Sequence, residues 1–221
     1  MDAAPACNGA PTAINATLPW AVDDTGGFAA AGYIGDYWAI TNSGDTTGAL
    51  CGGRAVAGAL GQCWKVTYKV ATDDAGAIRT SGFAGVNWQA NVQPMGGGTY
   101  HNNFGVAPGI VPPAGATEVT LYAKGAVGGE QVTFSVGSNA TGPCTDSVVA
   151  MAGITTLTTS WQKVTIPFNG ATYAGGQVQG FAWEMATAGE DAGATTTFYM
   201  DDIVWTAGGT NDAGASDAAG Q

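Results

Sequence analysis

The stretch that decides the fold of this chain is "FYMDDIVW", residues 198–205. Aromatic and β-branched residues favour a β-strand there, but two adjacent carboxylates, Asp201 and Asp202, interrupt the run. Because neighbouring residues of a strand point to opposite faces, one of the two carboxylates lies close to the core whichever face is buried. A buried, unpaired carboxylate is too costly to keep. The sequence therefore predicts that another group compensates one of these charges.

The composition favours an all-β protein with a substantial core. The 221 residues are enough for one large β domain or two small ones, 36 of them are Gly, and only 10% are charged. No long window repeats apolar residues at helical spacing. Short β-branched and aromatic runs alternate instead with Gly, Pro, Asn and Asp, and "CWKVTYKVA" (63–71) alternates apolar and polar residues cleanly. These features predict an all-β fold, a two-sheet antiparallel β-sandwich of the jelly-roll type.

The excess of acidic over basic residues limits the classes of ligand that the chain is expected to bind. The formal net charge is −11, from 17 acidic and 6 basic residues. Nucleic acid is disfavoured because phosphate binding needs a basic stripe, and anionic membranes and polysaccharides are disfavoured by the same repulsion. Neutral ligands and divalent cations remain compatible. The sequence has no apolar run of 18 or more residues, so no membrane span is predicted.

The four cysteines are Cys7, Cys51, Cys63 and Cys144, an even number without the spacing of zinc ligands. Cys51 and Cys63 bracket a Gly-rich stretch that is short enough to close as a loop, which leaves Cys7 with Cys144. Four cysteines allow three pairings, which the sequence alone does not distinguish, and four free thiols are the alternative. We favour two disulfides, because the C-terminal tail also has an extracellular character.

The chain divides into three predicted parts. Residues 1–19 are predicted to form an extended N-terminal lead-in, and residues 20–206 are predicted to form the β-sandwich. Residues 207–221, "AGGTNDAGASDAAGQ", are small, acidic and free of apolar anchors, which is typical of a disordered linker. A linker after the final strand predicts that the domain belongs to a longer, modular chain that is secreted or displayed on the cell surface.

The closing strands resemble a known family. "SWQKVTIPFNG", "GQVQGFAWEM" and "TTTFYMDDIVW" resemble the C-terminal half of jelly-roll carbohydrate-binding modules of the galactose-binding-like superfamily, which includes the family 11 and family 30 types. The middle of the chain, from "GFAGVNWQ" onward, is similar to uncharacterised secreted relatives of that group. The resemblance covers most of residues 20–206. It implies a jelly-roll fold and non-catalytic binding of a polysaccharide.

The same resemblance implies a structural calcium ion. In that superfamily an aspartate before or within the last strand commonly ligates calcium, which falls here on Asp201 or Asp202. Possible partners from early strands are Asp23, Asp24 and Asp36. Calcium takes six to eight oxygen ligands, which carboxylates and backbone carbonyls can supply. The alternatives are a strand-end bulge that turns one carboxylate to solvent and a salt bridge to one of the few basic residues.

Two segments carry the predicted ligand site. "NWQ" combines two amides, Asn87 and Gln89, with Trp88, which lies either in the core or exposed at the strand end. The loop "QPMGGGTYHNNFG" (93–105) places aromatic and amide groups after three glycines, which is typical of a binding loop, although the same residues can also anchor a connector. The other predicted site residues are Tyr100, His101, Asn103, Phe104, Tyr122 and Glu184, with Lys124 and Gln179 as possible extensions.

An enzyme is the second hypothesis. His101 is the sole histidine, and the chain has no GxSxG or HExxH motif. A glycoside hydrolase would need two paired carboxylates, of which Glu184 is the one expected to line a cleft. A lyase would need a base beside a cation, for which Tyr100, His101 and Arg79 are candidates. A structural or adhesive surface domain is the third hypothesis. The preferred hypothesis is a secreted, calcium-stabilised module that binds a neutral polysaccharide.

Overall fold

The computed structural model describes residues 6–24, 27–96, 99–137, 142–168, 172–187 and 191–208, and for residues 93–96 and 99–101 it describes the backbone. The described strands, in chain order, are β1 (Thr12–Ala13), β2 (Trp20–Ala21), β3 (Ala29–Gly35), β4 (Ile40–Asp45), β5 (Cys63–Lys69), β6 (Ala71–Thr72), β7 (Ile78–Arg79), β8 (Phe83–Gln89), β9 (Gln93–Gly96), β10 (Thr99–His101), β11 (Ile110–Val111), β12 (Glu118–Gly125), β13 (Gln131–Val136), β14 (Ala150–Thr156), β15 (Gln162–Pro167), β16 (Gln179–Ala186) and β17 (Thr195–Thr206). Two short 3-10 turns lie at Tyr37–Ala39 and Ala49–Cys51.

Two antiparallel sheets form the sandwich. The six-stranded sheet has the order β15-β12-β17-β5-β4, with β2 added to β17, and the five-stranded sheet has the order β14-β13-β16-β8-β3. Neighbouring strands in both sheets run antiparallel. The predicted all-β sandwich is therefore confirmed. Within the described ranges, the structure contains no helix that could span a membrane.

Alternation along each strand produces the core between the sheets. In β5, Trp64, Val66 and Tyr68 are buried, whereas Lys69 is exposed and Lys65 half-buried on the other face. Period-two alternation makes this separation unavoidable once one face of the strand is covered.

Aromatic pairs join the two sheets. Trp64 of β5 meets Trp88 of β8 edge to face, with ring centres 5.0 Å apart, and Trp183 of β16 meets Phe198 of β17 at 5.1 Å. Edge-to-face pairs of this kind add to the stabilisation that burial alone supplies. Truncation of such a buried ring to Ala typically costs about 3 to 5 kcal/mol.

The paired aspartates of β17 form a β-bulge. Opposite β12, Asp201 pairs with Tyr122 and Val204 with Thr120, so β17 carries one extra residue between these two pairs. Asp202 takes a φ of 52° there. The bulge shifts the alternation by one position, which lets Phe198 and Met200 before it and Ile203 and Trp205 after it all face the core.

Two disulfides close the structure. Cys51 bonds to Cys63, which closes the loop between β4 and β5, and Cys7 bonds to Cys144, which ties the N-terminal segment to the loop after β13. The described chain has no free cysteine. The favoured pairing is confirmed. Of the predicted lead-in, residues 1–5 lie outside the described residues, and so do residues 209–221 of the predicted tail.

Candidate functional site

Arg54 compensates the buried carboxylate in the closing strand. Asp201 is fully buried, and its Oδ1 lies 2.8 Å from Nη2 of Arg54 and 3.0 Å from Nε. Its Oδ2 accepts hydrogen bonds from Arg54 Nε at 3.1 Å and from the backbone N–H of Ala55 at 2.6 Å. A bidentate contact between a guanidinium and a carboxylate, with a further hydrogen bond from a backbone amide, is among the strongest interactions that stabilise a buried carboxylate. The salt bridge raised as an alternative in the sequence analysis is thus present.

The same guanidinium also binds backbone carbonyls. Arg54 Nη1 donates to the carbonyl of Thr46 at 2.9 Å, and Nη2 donates to the carbonyl of Leu60 at 3.0 Å. One carboxylate and two carbonyls are oxygen groups of the kind that surround calcium in proteins. Here they surround a guanidinium, which already supplies the positive charge. Asp201 therefore does not fit a calcium site.

The other predicted calcium ligands are engaged elsewhere. Asp202 accepts a hydrogen bond from the backbone N–H of Leu60 at 2.7 Å, and burial raises the pKa of its carboxyl. Asp23 accepts from the Gln62 backbone N–H at 3.1 Å and from Nε1 of Trp64 at 3.0 Å. Within the described ranges, no three His, Cys, Asp or Glu side chains form a group that could hold a metal ion. The calcium set that the resemblance implied, including Asp24, is not brought together here, and calcium binding itself stays a prediction.

Asp36 is the acceptor in a buried network of hydrogen bonds. Its carboxylate is fully buried and accepts hydrogen bonds from the hydroxyls of Tyr68, Thr80, Ser81 and Thr187 at 2.7 to 3.0 Å, and from the Ser81 backbone N–H. Burial alone would raise the pKa of Asp36, but these hydrogen bonds outweigh it and lower the pKa to about 2. Because its donors follow β7 and β16 or lie in β5, Asp36 ties the ends of both sheets together.

A groove crosses the outward side of the five-stranded sheet, and we name it the outer groove. It encloses about 450 Å³. Its walls come from all five strands or from the residues beside them, and they include Ile34, Asn87, Ser135, Val149, Met151, Gln179 and Glu184. Asn87 of β8 pairs with Ala182 of β16, and Ser135 of β13 pairs with the same Ala182. This register places the Asn87 and Ser135 side chains on one face, turned away from the buried Val86 and Phe134.

The structure brings together two of the predicted site residues. Asn87 and Glu184 both line the outer groove, Asn87 almost fully buried and Glu184 exposed. Gln89 and Asn103 are buried and bind each other, since the Asn103 backbone N–H donates to Oε1 of Gln89 at 2.8 Å. The Asn103 amide also donates to the carbonyl of Ala90 at 2.8 Å. These two residues hold the loop after β10 against the sheet.

Two predicted residues lie in the wrong place for that groove. Trp88 is fully buried between the sheets, so its predicted place in the ligand site is wrong, and the core alternative is what the fold adopts. Tyr122 belongs to β12 and pairs with Asp201 and Lys163, so it lies on the six-stranded sheet, across the sandwich from Asn87. Trp88 misses the groove because its side of β8 closes on the core, and Tyr122 misses it because β12 belongs to the other sheet.

The remaining loop residues are only partly described. Phe104 is half-buried, and its carbonyl accepts a hydrogen bond from the Gly142 backbone N–H at 3.0 Å. Tyr100 and His101 lie in β10, which pairs with β9, and their side chains lie outside the described residues. Their predicted role in binding stays a prediction.

Several exposed apolar side chains were not anticipated. On and beside β14, Val149, Met151 and Ile154 are 63%, 66% and 74% exposed, and the first two line the outer groove. Tyr37 and Trp38, in the 3-10 turn, are 57% and 39% exposed. Large apolar groups left in water in a local cluster often mark a binding surface. The alternation in "VAMAGITT" does not reveal the exposure, because it does not say that β14 is an edge strand with an uncovered outer side.

Comparison with known proteins finds similarity to one family model and to several solved structures. Residues 115–207 match the family model of Carbohydrate binding domain 30. No curated protein sequence matches the chain. The structure of the family 11 carbohydrate-binding module of the cellulosomal cellulase Lic26A-Cel5E of Clostridium thermocellum is 15% identical, with a TM-score of 0.41, over 87% of this chain and 96% of its own.

Two further solved structures are similar. A family 30 carbohydrate-binding module is 13% identical, with a TM-score of 0.44, over 81% of this chain and 93% of its own. TmCBM61 in complex with β-1,4-galactotriose is 14% identical, with a TM-score of 0.41, over 83% of this chain and 92% of its own. At such low identity a shared fold does not imply a shared ligand. The resemblance to β-sandwich carbohydrate-binding modules is confirmed, and residues 115–207 are the part of the chain that matches Carbohydrate binding domain 30.

Proposed function

We propose that this protein binds a neutral polysaccharide without cleaving it, and that the outer groove is the binding site. The observation that carries the proposal is the joint presence of polar and exposed apolar side chains in one groove. Asn87 and Glu184 offer an amide and a carboxylate, and Met151 offers an exposed apolar surface beside them. Planar polar groups bind sugar hydroxyls, while the C–H faces of a pyranose ring need apolar contact.

The shape of the groove favours a segment of a long chain. Its lining residues come from every strand of the five-stranded sheet. They run from Ile34 in β3, at one edge, to Met151 in β14, at the other edge. A ligand that lies across the sheet can therefore contact several strands at once. Modest affinity is expected, because polar sites recover little more free energy than they lose on desolvation.

The charge of the protein supports a neutral glycan. The net charge is −11, and Glu184 adds a carboxylate within the groove itself. A polyuronate would bring a further negative charge into this field, whereas a neutral chain of hydroxyls is not repelled.

Non-catalytic binding is supported by the carboxylates of the groove. Glycoside hydrolysis requires two carboxyl groups that flank the scissile bond. Among the described residues that line the outer groove, Glu184 is the one carboxylate.

We also propose that the protein works outside the cell, joined to other modules. Two disulfides are typical of proteins that fold in an oxidising compartment. A tether to other modules would raise the effective concentration of a weak binder at its polymer.

Affinity electrophoresis through a panel of neutral and acidic polysaccharides tests the proposal. We expect retardation by a neutral glycan, at least tenfold weaker binding in Asn87→Ala and in Met151→Ala, and no new reducing ends. Thr165→Ala is the matched control, because Thr165 is exposed on the six-stranded sheet across the sandwich. Equal binding by the groove variants and the wild type would reject the site. New reducing ends or unsaturated products would instead establish an enzyme.

A further inference from the structure

A second cavity lies where the edges of the two sheets meet, and we name it the edge cavity. It encloses about 820 Å³. β3 is an edge of the five-stranded sheet and β4 an edge of the six-stranded sheet, and the turn Tyr37–Ala39 carries the chain from one to the other. The residues that line this cavity and those that line the outer groove do not overlap. The two sites are therefore separate.

Small residues keep this space open. Ala29, Ala30 and Ala31 form one wall, on β3. Gln62 and Trp64 also line the cavity, and Trp64 pairs with Gly44 of β4, where a Cβ would lie 3.1 Å from the indole ring and closer still to the Gln62 amide. Glycine at this position lets the indole and the amide lie close against the backbone of β4.

An unsatisfied amide faces the cavity. Asn42 lines it, both polar atoms of the Asn42 side chain are buried, and neither makes a hydrogen bond to any described residue. Burial raises the pKa of the nearby Tyr33, and the Asn42 side chain partly offsets this rise, although no hydrogen bond of standard geometry joins the two. Buried polar atoms without partners destabilise a fold and are rare in native proteins, so an amide kept in this state calls for a functional explanation.

A positioned carboxylate completes the polar lining. Oδ2 of Asp23 accepts hydrogen bonds from the Gln62 backbone N–H and from Nε1 of Trp64, which fixes the carboxylate and the indole relative to each other. Tyr37, which is 57% exposed, places an aromatic ring on the same cavity. None of the described lining residues is basic.

We propose that the edge cavity binds one neutral sugar residue, either a free sugar or the end of a glycan chain. An amide can donate to one hydroxyl and accept from its neighbour, which matches the diol of a sugar ring. The Asp23 carboxylate accepts from a further hydroxyl and repels an anionic sugar, while Trp64 and Tyr37 offer apolar contact. A position between two sheet edges suits a single unit, whereas the outer groove crosses a whole sheet. This proposal does not depend on the outer groove.

Titration with neutral mono- and disaccharides, followed by ligand-observed saturation-transfer NMR, tests the proposal. We expect a sugar of the panel to bind the wild type with a dissociation constant on the order of millimolar, as is usual for a small polar ligand. Asn42→Ala and Asp23→Asn should each weaken binding at least tenfold. Methyl glycosides distinguish the two sources: equal binding shows that the anomeric hydroxyl is dispensable, as at the non-reducing end of a chain, and loss of binding shows that it is required, as in a free sugar or at a reducing end.

Stability measurements separate this role from a structural one. Asn42→Ala removes two unsatisfied buried atoms, so its melting temperature should equal or exceed that of the wild type while sugar binding is lost. Polysaccharide retention in the outer groove should survive Asn42→Ala, and small-sugar binding should survive Asn87→Ala. The proposal is overturned if no neutral sugar binds the wild type, if Asn42→Ala binds the sugar as the wild type does, or if Asn87→Ala alone abolishes small-sugar binding.

Discussion

At the scale of single residues, Arg54 holds together the loop between β4 and β5 and the closing strand. Its guanidinium binds Asp201 and the carbonyls of Thr46 and Leu60. We expect Arg54→Ala to lower the free energy of unfolding by about 3 kcal/mol or more, because it leaves a buried carboxylate without its partner. Denaturant titration measures the loss. Arg79→Ala is the control, since Arg79 is exposed over Trp38 and should contribute less than about 1 kcal/mol.

Chelation tests the calcium prediction at the same carboxylate. Because Arg54 already neutralises Asp201, we expect this carboxylate to hold no calcium, so that exhaustive chelation lowers the melting temperature only if calcium binds at another site. A bound calcium would stabilise the folded state by mass action and its removal would lower that temperature. A fall on chelation that added calcium reverses would place a calcium site elsewhere in the chain.

Asp36 predicts a pH dependence of stability. Its pKa is lowered in the folded state to about 2, from an ordinary value of 3.8. A lowered folded-state pKa contributes stability that is present above pH 4 and is lost as the pH falls toward 2, here about 2 kcal/mol. Urea titrations between pH 5 and pH 2 should show this loss in the wild type and a smaller one in Asp36→Asn. Identical slopes in both proteins would contradict the assignment.

At the scale of the element, the bulge in β17 depends on the backbone of Asp202. A φ of 52° is accessible to Asn and Asp but strained for a β-branched residue. We expect Asp202→Val to cost about 2 kcal/mol or more, whereas Asp202→Asn keeps both the backbone geometry and the acceptor for Leu60, and should cost less than about 1 kcal/mol. Thermal unfolding of the two variants compares them. Equal losses would show that the bulge does not strain the valine.

At the scale of the whole molecule, the two disulfides restrain loops of very different length. Cys7 and Cys144 are 137 residues apart, and Cys51 and Cys63 are 12 apart. In the chain-entropy account, a longer closed loop removes more freedom from the unfolded chain, about 5 against about 3 kcal/mol. We therefore expect Cys7→Ala with Cys144→Ala to lower the denaturation midpoint more than Cys51→Ala with Cys63→Ala. The reverse order would indicate that local strain or packing in the loop outweighs chain entropy.

Features that depend on local pattern were predictable from the sequence. The period-two alternation of β5 determined which residues are buried, because a strand allows only two faces. Turn residues and the lack of helical spacing determined the all-β class, and the short Cys51–Cys63 spacing indicated a closed loop. The adjacent Asp201 and Asp202 showed that a buried charge needs a partner, but they did not identify it.

Tertiary structure alone determined the partner of Asp201 and the polar side chains that share a site. Arg54 and Asp201 are 147 positions apart, and they meet only once β5 and β17 pair in one register. Asn87 and Tyr122 alternate in the same way along their strands, yet they lie on opposite sides of the sandwich because their strands belong to different sheets. The sequence by itself determined which residues avoid water within each strand. The order in which strands pair, which rests on contacts far apart in the chain, determined which polar side chains share a groove.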